Sequence, residues 1–431
     1  MVHKSNKAYV CLNAVLFVFI TCAGSANAAT LCVGPFGSGC MTTIGAAIAA
    51  ANAGDNIQVQ QGVYSEKVVI NKPLSLVGSG DGGTIVSAWG LNNGIVVDGS
   101  ATANGLTGVV VSGMTIENAN FEGILVRNAS SVTVINNRVI NNNMALNTAN
   151  TPFACAGLMS AAPYEVNEGA DCGQGLHLIA VDHSTVANNL VQNNAGGILL
   201  SDETGASHDN LIAGNNVNGN AFAGGITLLS SAPYSATTLT APAGVYHNTI
   251  SGNAISANGA QSQTAGAGVA MLALAPQSRV SDNVVNNNQI ASNMLPGFVL
   301  HTLTSQDPQL GLRLNGNVVI GNKIIGNGAD VGSAATTGAT GINIYSAVAT
   351  DMQISQNVFS AENINVAVNA PGATIQVHLN DFAGATGIVN TSTATIDGAQ
   401  NWWGCSAGPG NGGCASLQGP AAAAVWSSNP F

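Results

Sequence analysis

The chain has 431 residues, with 9 Lys or Arg against 20 Asp or Glu and a formal charge of −11. That balance argues against nucleic acid as a partner, and against a polyanionic ligand unless a bound cation intervenes. Charged residues make up only 7% of the chain, yet its 46% apolar content is too high and too regularly spaced for a disordered polymer.

In residues 1 to 28, Lys4 and Lys7 precede the apolar run Ala8 to Ile20, and Ala26-Asn27-Ala28 follows with a small-residue cleavage site. This is the pattern of a secretory signal peptide, and it predicts a secreted or periplasmic protein. Cys22 follows Phe19-Ile20-Thr21, a context that suits lipidation poorly. Cleavage removes two lysines and no acid, leaving 7 basic residues against 20 acidic ones, a charge of −13. No later apolar run is long enough to span a bilayer, so stable membrane insertion is not expected. The remaining cysteines fall into local pairs, Cys32 with Cys40, Cys155 with Cys172 and Cys405 with Cys414, as disulfides in an oxidising compartment do. The CxxC spacing of a metal site does not occur.

The opening segment of the mature chain predicts one short helix and then strands. Ala-rich Ile44 to Asn52, stopped by Gly54, reads as a helix covering the open end of the first coil. Ile57 to Val59, Val68 to Ile70 and Leu74 to Val77 read as strands.

Two phrases then recur through the chain. One is Asn, any residue, an apolar residue, and three further on another Asn: NRVINN at Asn137, then copies at Asn189, Asn215, Asn253, Asn288, Asn322 and Asn357, the last ending in Glu362. The other precedes each copy as Gly and alternating apolar residues, at Gly123, Gly175, Gly197, Gly225, Gly268, Gly297 and Gly341. Such self-similarity means stacked units that bury their apolar sides on one another. Ile124, Val126, Leu176, Leu178, Ile198, Leu200, Ile226 and Leu228 are the inward positions, and the recurring Asn belongs at turns, bonding stacked backbone groups. The opening segment and the repeats together resemble the right-handed parallel β-helix proteins of the pectin lyase-like superfamily. The resemblance implies an all-β solenoid with a short N-terminal capping helix. It implies a single domain over 29–431, and it specifies a fold rather than an activity.

Successive copies are 52, 26, 38, 35, 34 and 35 residues apart, so loops are inserted into a shorter coil. They fall at about 145–171, 231–244, 302–315 and 328–340, where a rigid solenoid builds binding surface. The C-terminal Asn401 to Gly404, NWWG, reads as the cover of the far end.

Aligned on the first Asn, the position seven residues earlier reads Ser130, Asp182, His208, Tyr246 and Ser281, and the next reads Ser131, His183, Asp209, His247 and Asp282. Members of such columns lie roughly 4.8 Å apart on neighbouring strands. His183, His208, His247 and Tyr246, with Asp182 and Asp209 to orient the imidazoles, have the composition of a general acid-base site. His183, His208, Asp209 and His247 would equally suit a divalent metal ion such as zinc. A surface ladder of satisfied polar residues is the bland alternative.

Nearby, Arg127 and His301 take outward strand positions, and Asp202 and Glu203 precede His208. All four are candidate substrate contacts, although adjacent Asp202 and Glu203 read more simply as a solvated turn. Leu125, Ile179, Leu199, Leu229, Leu272 and Val299 form an outward apolar stripe that needs a cover or a ligand. Tyr164, Tyr234 and Tyr246 are placed to line a groove for sugar rings, and His177 reads as a packed histidine.

The expected function is a secreted carbohydrate-active enzyme of the lyase or epimerase kind, acting on a glycan or other extracellular substrate. His or Tyr moves the proton, and Arg127 or a cation meets the negative charge. The alternatives are a glycoside hydrolase using Asp202, Glu203 and Asp209, and a non-catalytic extracellular solenoid. The chain departs from polyuronate-handling relatives in its scarce Lys and Arg and its lack of a DPH element; Val181-Asp182-His183 is only faintly similar to a pectate lyase phrase.

Overall fold

The computed structural model describes residues 28–80, 82–144, 173–231, 243–261, 266–302 and 311–431, with the backbone alone at 146–147 and 154–155. The segment 1–27, the Cys155–Cys172 pair, Tyr164 and Tyr234 lie outside the described residues.

Three parallel sheets stack along one axis. The first has 13 strands, from Thr30–Val33 to Thr395–Asp397, and the second has 10, from Gly62–Tyr64 to Val358–Ser360. The third has 16 and carries the longest strand, Gln174–Asp182. In one turn the chain passes from Ile124–Ser130 of the third sheet to Thr133–Ile135 of the first and Arg138–Ile140 of the second, then returns to the third at Gln174–Asp182. This is a right-handed parallel β-helix. The eight expected inward residues are at most 1% exposed and join one continuous core.

Each corner between sheets is locked by a ladder of buried polar side chains. Between the first and second sheets it runs from Asn137 to Asn401. There the backbone N–H and the Nδ2 of Asn189 both donate to Asn215 Oδ1 at 2.9 and 3.0 Å, while Nδ2 also reaches the carbonyl of Val134. Between the second and third sheets the ladder runs from Asn142 to Asn327 and closes on Glu362, whose carboxylate accepts from Asn327. These are the two asparagines of the recurring phrase, in the turn role their spacing implied. A third ladder, Ser184, Asn210, Asn248, Asn283 and Asn317, closes the corner between the third and first sheets. The phrase did not reveal this one. Amide side chains suit the task because each offers both a donor and an acceptor to a buried backbone that water cannot reach.

The ends are covered as expected. Thr43 caps the helix Ile44–Ala50, and the Glu66 carboxylate accepts from the N–H groups of Ile44 and Gly45 at 2.8 Å each. Ile44, Ala47 and Ile48 are buried on the first coil. At the far end Trp403 is fully buried against Phe382, and Asn401 terminates its ladder. Cys32–Cys40 and Cys405–Cys414 form disulfides, which fits an oxidising compartment. No helix among the described residues is long and apolar enough to cross a membrane.

The outward apolar stripe is not exposed. Leu125 and Ile179 are completely buried and pack with Val96, while Val299 packs with Ala267, Ala270 and Leu295. Further along, the 328–340 insert folds back over the sheet, placing Ala335 against Ile364, Ala367 and Val389. The stripe is thus interior surface, since apolar strands buried on both faces are what parallel sheets require.

Candidate functional site

The strand register reproduces the aligned column. Ser130 pairs with Asp182, Asp182 with His208, His208 with Tyr246, and Tyr246 with Ser281. The next residue in each coil, His183, Asp209, His247 and Asp282, has a left-handed backbone with φ of 48 to 58°. Asn, Asp and His tolerate that conformation better than most residues, so the corner geometry selects polar side chains here before any chemistry is invoked. The residue after that belongs to the third buried ladder, which fixes the corner from inside.

Short hydrogen bonds within the outward groups are followed by longer ion-pair contacts along the column. Asp182 Oδ1 accepts from the Ser130 hydroxyl at 2.6 Å and lies 2.7 Å from His183 Nδ1. His208 Nδ1 lies 2.7 Å from Asp209 Oδ2. His247 bridges two carboxylates, Nδ1 being 3.7 Å from Asp209 and Nε2 3.8 Å from Asp282. Burial pushes the Asp182 carboxyl up, but the Ser130 hydroxyl and the His183 ring together hold it below the usual carboxylate range. The hydrogen bond that the His183 ring donates to Asp182 raises His183 above the ordinary histidine value.

Tyr246 sits at the centre. Its ring stacks on His208, with centroids 4.9 Å apart and planes within 4°, and the Arg279 guanidinium from the following coil lies 3.6 Å from its centroid. With both faces taken, Tyr246 cannot be a platform for a sugar ring, contrary to the expectation from sequence. What remains open is the edge and the hydroxyl, which bonds to no described residue. Arg279 also donates to the Ser281 hydroxyl at 2.9 Å and reaches Asp282 at 3.4 Å.

The other candidates lie apart from this cluster. Arg127 does not supply its positive charge. It is held by Asp98 in a two-pronged ion pair, Nε to Oδ1 at 3.0 Å and Nη2 to Oδ2 at 2.7 Å. Burial raises the Asp98 carboxyl, but the Arg127 guanidinium outweighs it and brings the group down to about 2. Arg279 is the guanidinium at the site, and its period-two spacing from Ser281 was the available signal for it.

Asp202 and Glu203 are not a solvated turn but buried. Asp202 accepts from the Ser230 hydroxyl and from the backbone N–H groups of Ser231 and Gly244, at 2.6 to 2.9 Å, so it pins both ends of the 231–244 insert. Burial raises its carboxyl above the ordinary value. Glu203 lies beneath the surface with Ser201 and His177, and His177 is packed as expected. His301 packs at a tilt against Tyr345, ring centroids 4.8 Å apart, on the outer face of the third sheet, where burial lowers its basicity.

Of the four candidate metal ligands, His183, His208 and Asp209 bring one donor atom each within 4.8 Å of the others, and His247 does not join them.

Residues 84–257 match a family model described as a right handed beta helix region. The protein is a right-handed parallel β-helix. Solved structures similar to this β-helix include the Dettilon tailspike protein, with a TM-score of 0.53 and 13% identity over 84% of this chain and 62% of that one. An α-1,3-glucanase catalytic domain is similar with a TM-score of 0.49 and 13% identity, over 94% of this chain and 68% of that one. The A-module of Azotobacter vinelandii mannuronan C-5 epimerase is similar with a TM-score of 0.41 and 14% identity, over 90% and 94%. The chain therefore spans less than two thirds of the tailspike's length, and identities this low speak for the fold alone. No curated protein matches the β-helix sequence.

Proposed function

We propose that this β-helix is a secreted carbohydrate-active enzyme of the lyase or epimerase kind, working by proton transfer at Tyr246. The observation that carries the reading is the clamped tyrosine. His208 covers one face, Arg279 covers the other, and only the hydroxyl edge is left to meet a ligand. A phenol held this way costs no reorganisation when a proton moves, and a guanidinium 3.6 Å from its ring meets negative charge developing there. With its phenolic proton passed to His247, Tyr246 takes a proton from a sugar ring carbon through its phenolate oxygen. The electron pair left behind either expels the glycosidic oxygen, which leaves with the proton now on the Tyr246 hydroxyl and gives an unsaturated sugar, or takes up the proton held by His247 on the opposite face. His247, edge-on to Tyr246 at 5.2 Å and flanked by Asp209 and Asp282, is the group placed to exchange that proton.

The hydrolase reading loses two of its three carboxylates, because Asp202 and Glu203 are buried and Asp202 is occupied with backbone. Incubating the purified protein with a panel of glycans and following absorbance from unsaturated sugars, new reducing ends and epimer content tests the proposal. Tyr246→Phe is expected to lower turnover at least about a hundredfold with little change in the fold. Undiminished turnover by that variant on an accepted substrate, or reducing ends formed without unsaturation or epimerisation, would overturn it.

A further inference from the structure

We propose that His183, His208 and Asp209 bind a divalent transition-metal ion of the zinc class on the outer face of the corner. One donor atom from each lies within 4.8 Å of the other two. Both imidazoles already have Nδ1 tied to an aspartate at 2.7 Å, His183 to Asp182 and His208 to Asp209. The first bond fixes the His183 ring and leaves its Nε2 free to ligate, as carboxylates do for metal-binding histidines, while the second shows that His208 Nδ1 and Asp209 Oδ2 are already neighbours that an ion can join in place of the shared proton. Two imidazoles and a carboxylate select zinc, cobalt or nickel over calcium or magnesium, which demand oxygen.

Ligand atoms around zinc sit at about 2.0 to 2.2 Å from the ion, so roughly 3.3 Å from one another. Closing from 4.8 Å requires only side-chain rotation. His183 and Asp209 have that freedom, their side chains being 63% and 40% exposed. Three protein ligands leave a fourth coordination position for water or a ligand.

The ion also answers the charge problem posed by the sequence. A chain of formal charge −11 repels an anionic glycan, and a dication at the corner supplies a local attraction that Arg279, already shared with Asp282, cannot supply alone. Metal binding stands independently of the proposed proton transfer; only the ion's use in holding an anionic sugar rests on that reading.

The test is calorimetric titration of tag-free protein with zinc, cobalt and calcium chlorides, with metal content measured after dialysis. We expect one equivalent of zinc or cobalt in the micromolar range or tighter, with calcium not competing. His183→Ala and His208→Ala should each weaken binding at least about tenfold, while His247→Ala and Tyr246→Phe should leave it within about threefold. Unchanged circular dichroism and melting of the exposed His183→Ala variant keeps the comparison fair. Absence of saturable binding, or one-equivalent binding that survives the His183→Ala/His208→Ala double variant, overturns the site. Loss of zinc with retained turnover would separate the ion from the chemistry, and retained zinc in an inactive Tyr246→Phe would confirm that the two are distinct.

Discussion

At the corner joining the third sheet to the first, residues one position apart in sequence form two ladders of opposite character. Asn210, Asn248 and Asn283 point inward, are at most 2% exposed, and repeat one bonding pattern from coil to coil. Their immediate predecessors Asp209, His247 and Asp282, with His208 and Tyr246, turn their side chains outward, and the contacts those side chains make change from coil to coil. The inner ladder is uniform because each coil presents the same unpaired backbone groups to a dry interior, where an unmet donor or acceptor costs about 1 to 3 kcal/mol. The outer ladder is relieved of that duty by water. Its side chains are free to specialise, and only the left-handed φ limits which residues are admitted.

The sharpest way to break this contrast is to cut an inner ladder. Asn253→Ala removes the acceptor for the N–H and Nδ2 of Asn215 and the donor to Ile212 O, all buried. Denaturant unfolding should show a loss of about 3 to 5 kcal/mol. A loss under about 1 kcal/mol would mean the ladder is decoration. Next in size is Asp202→Ala, which strands the Ser231 and Gly244 N–H groups and the Ser230 hydroxyl. It should cost about 2 to 3 kcal/mol and accelerate limited proteolysis within 231–244; an unaltered cleavage pattern there would sink the anchoring role.

The third test concerns the one acidic rung. Burial pushes the Glu362 carboxyl up to about 6 from 4.5, against the lowering effect of its bonds from Asn327. A carboxyl raised in the folded state binds protons more readily there than in the unfolded chain. Its contribution is therefore fully present below pH 4.5 and is lost as pH rises through about 6. Glu362→Gln should stabilise the protein at pH 7 by about 2 kcal/mol and flatten melting temperature between those pH values. A parallel pH dependence in both proteins would contradict this. Smallest of all in stability, Tyr246→Phe should shift unfolding by no more than about 0.5 kcal/mol, because its hydroxyl bonds to no described residue. A larger loss would make Tyr246 a structural rung and remove the basis of the proposed chemistry.

The solenoid, the inward residues and the capping helix were legible in the sequence because they depend on local spacing: apolar residues at period two, Asn at fixed offsets, an Ala-rich run stopped by Gly54. The columns were legible too, since a parallel stack turns sequence offset into adjacency, and Asp182, His208, Tyr246 and Ser281 meet as aligned. The third ladder lies at a fixed offset too, five residues before the first Asn of the phrase; it escaped notice because its column opens with Val132 and Ser184 in place of Asn. Asp202 and Glu203 were misread for a different reason. Acidic residues next to Thr-Gly look like a solvated turn until the partners that bury them, Ser231 and Gly244, arrive from across an insert.

By itself the sequence determined the solenoid, its register and which side chains share a column, because each follows from short-range periodicity that every coil repeats. Tertiary structure alone decided which of those polar residues remain available. Whether Arg127 or Arg279 faces the cluster, whether a tyrosine presents its face or its hydroxyl, and whether a carboxylate meets solvent or backbone all depend on contacts between coils and inserts far apart in the chain. Those contacts carry no periodic signature, and here they turned Arg127 and Asp202 into structure and left Tyr246 with one open edge.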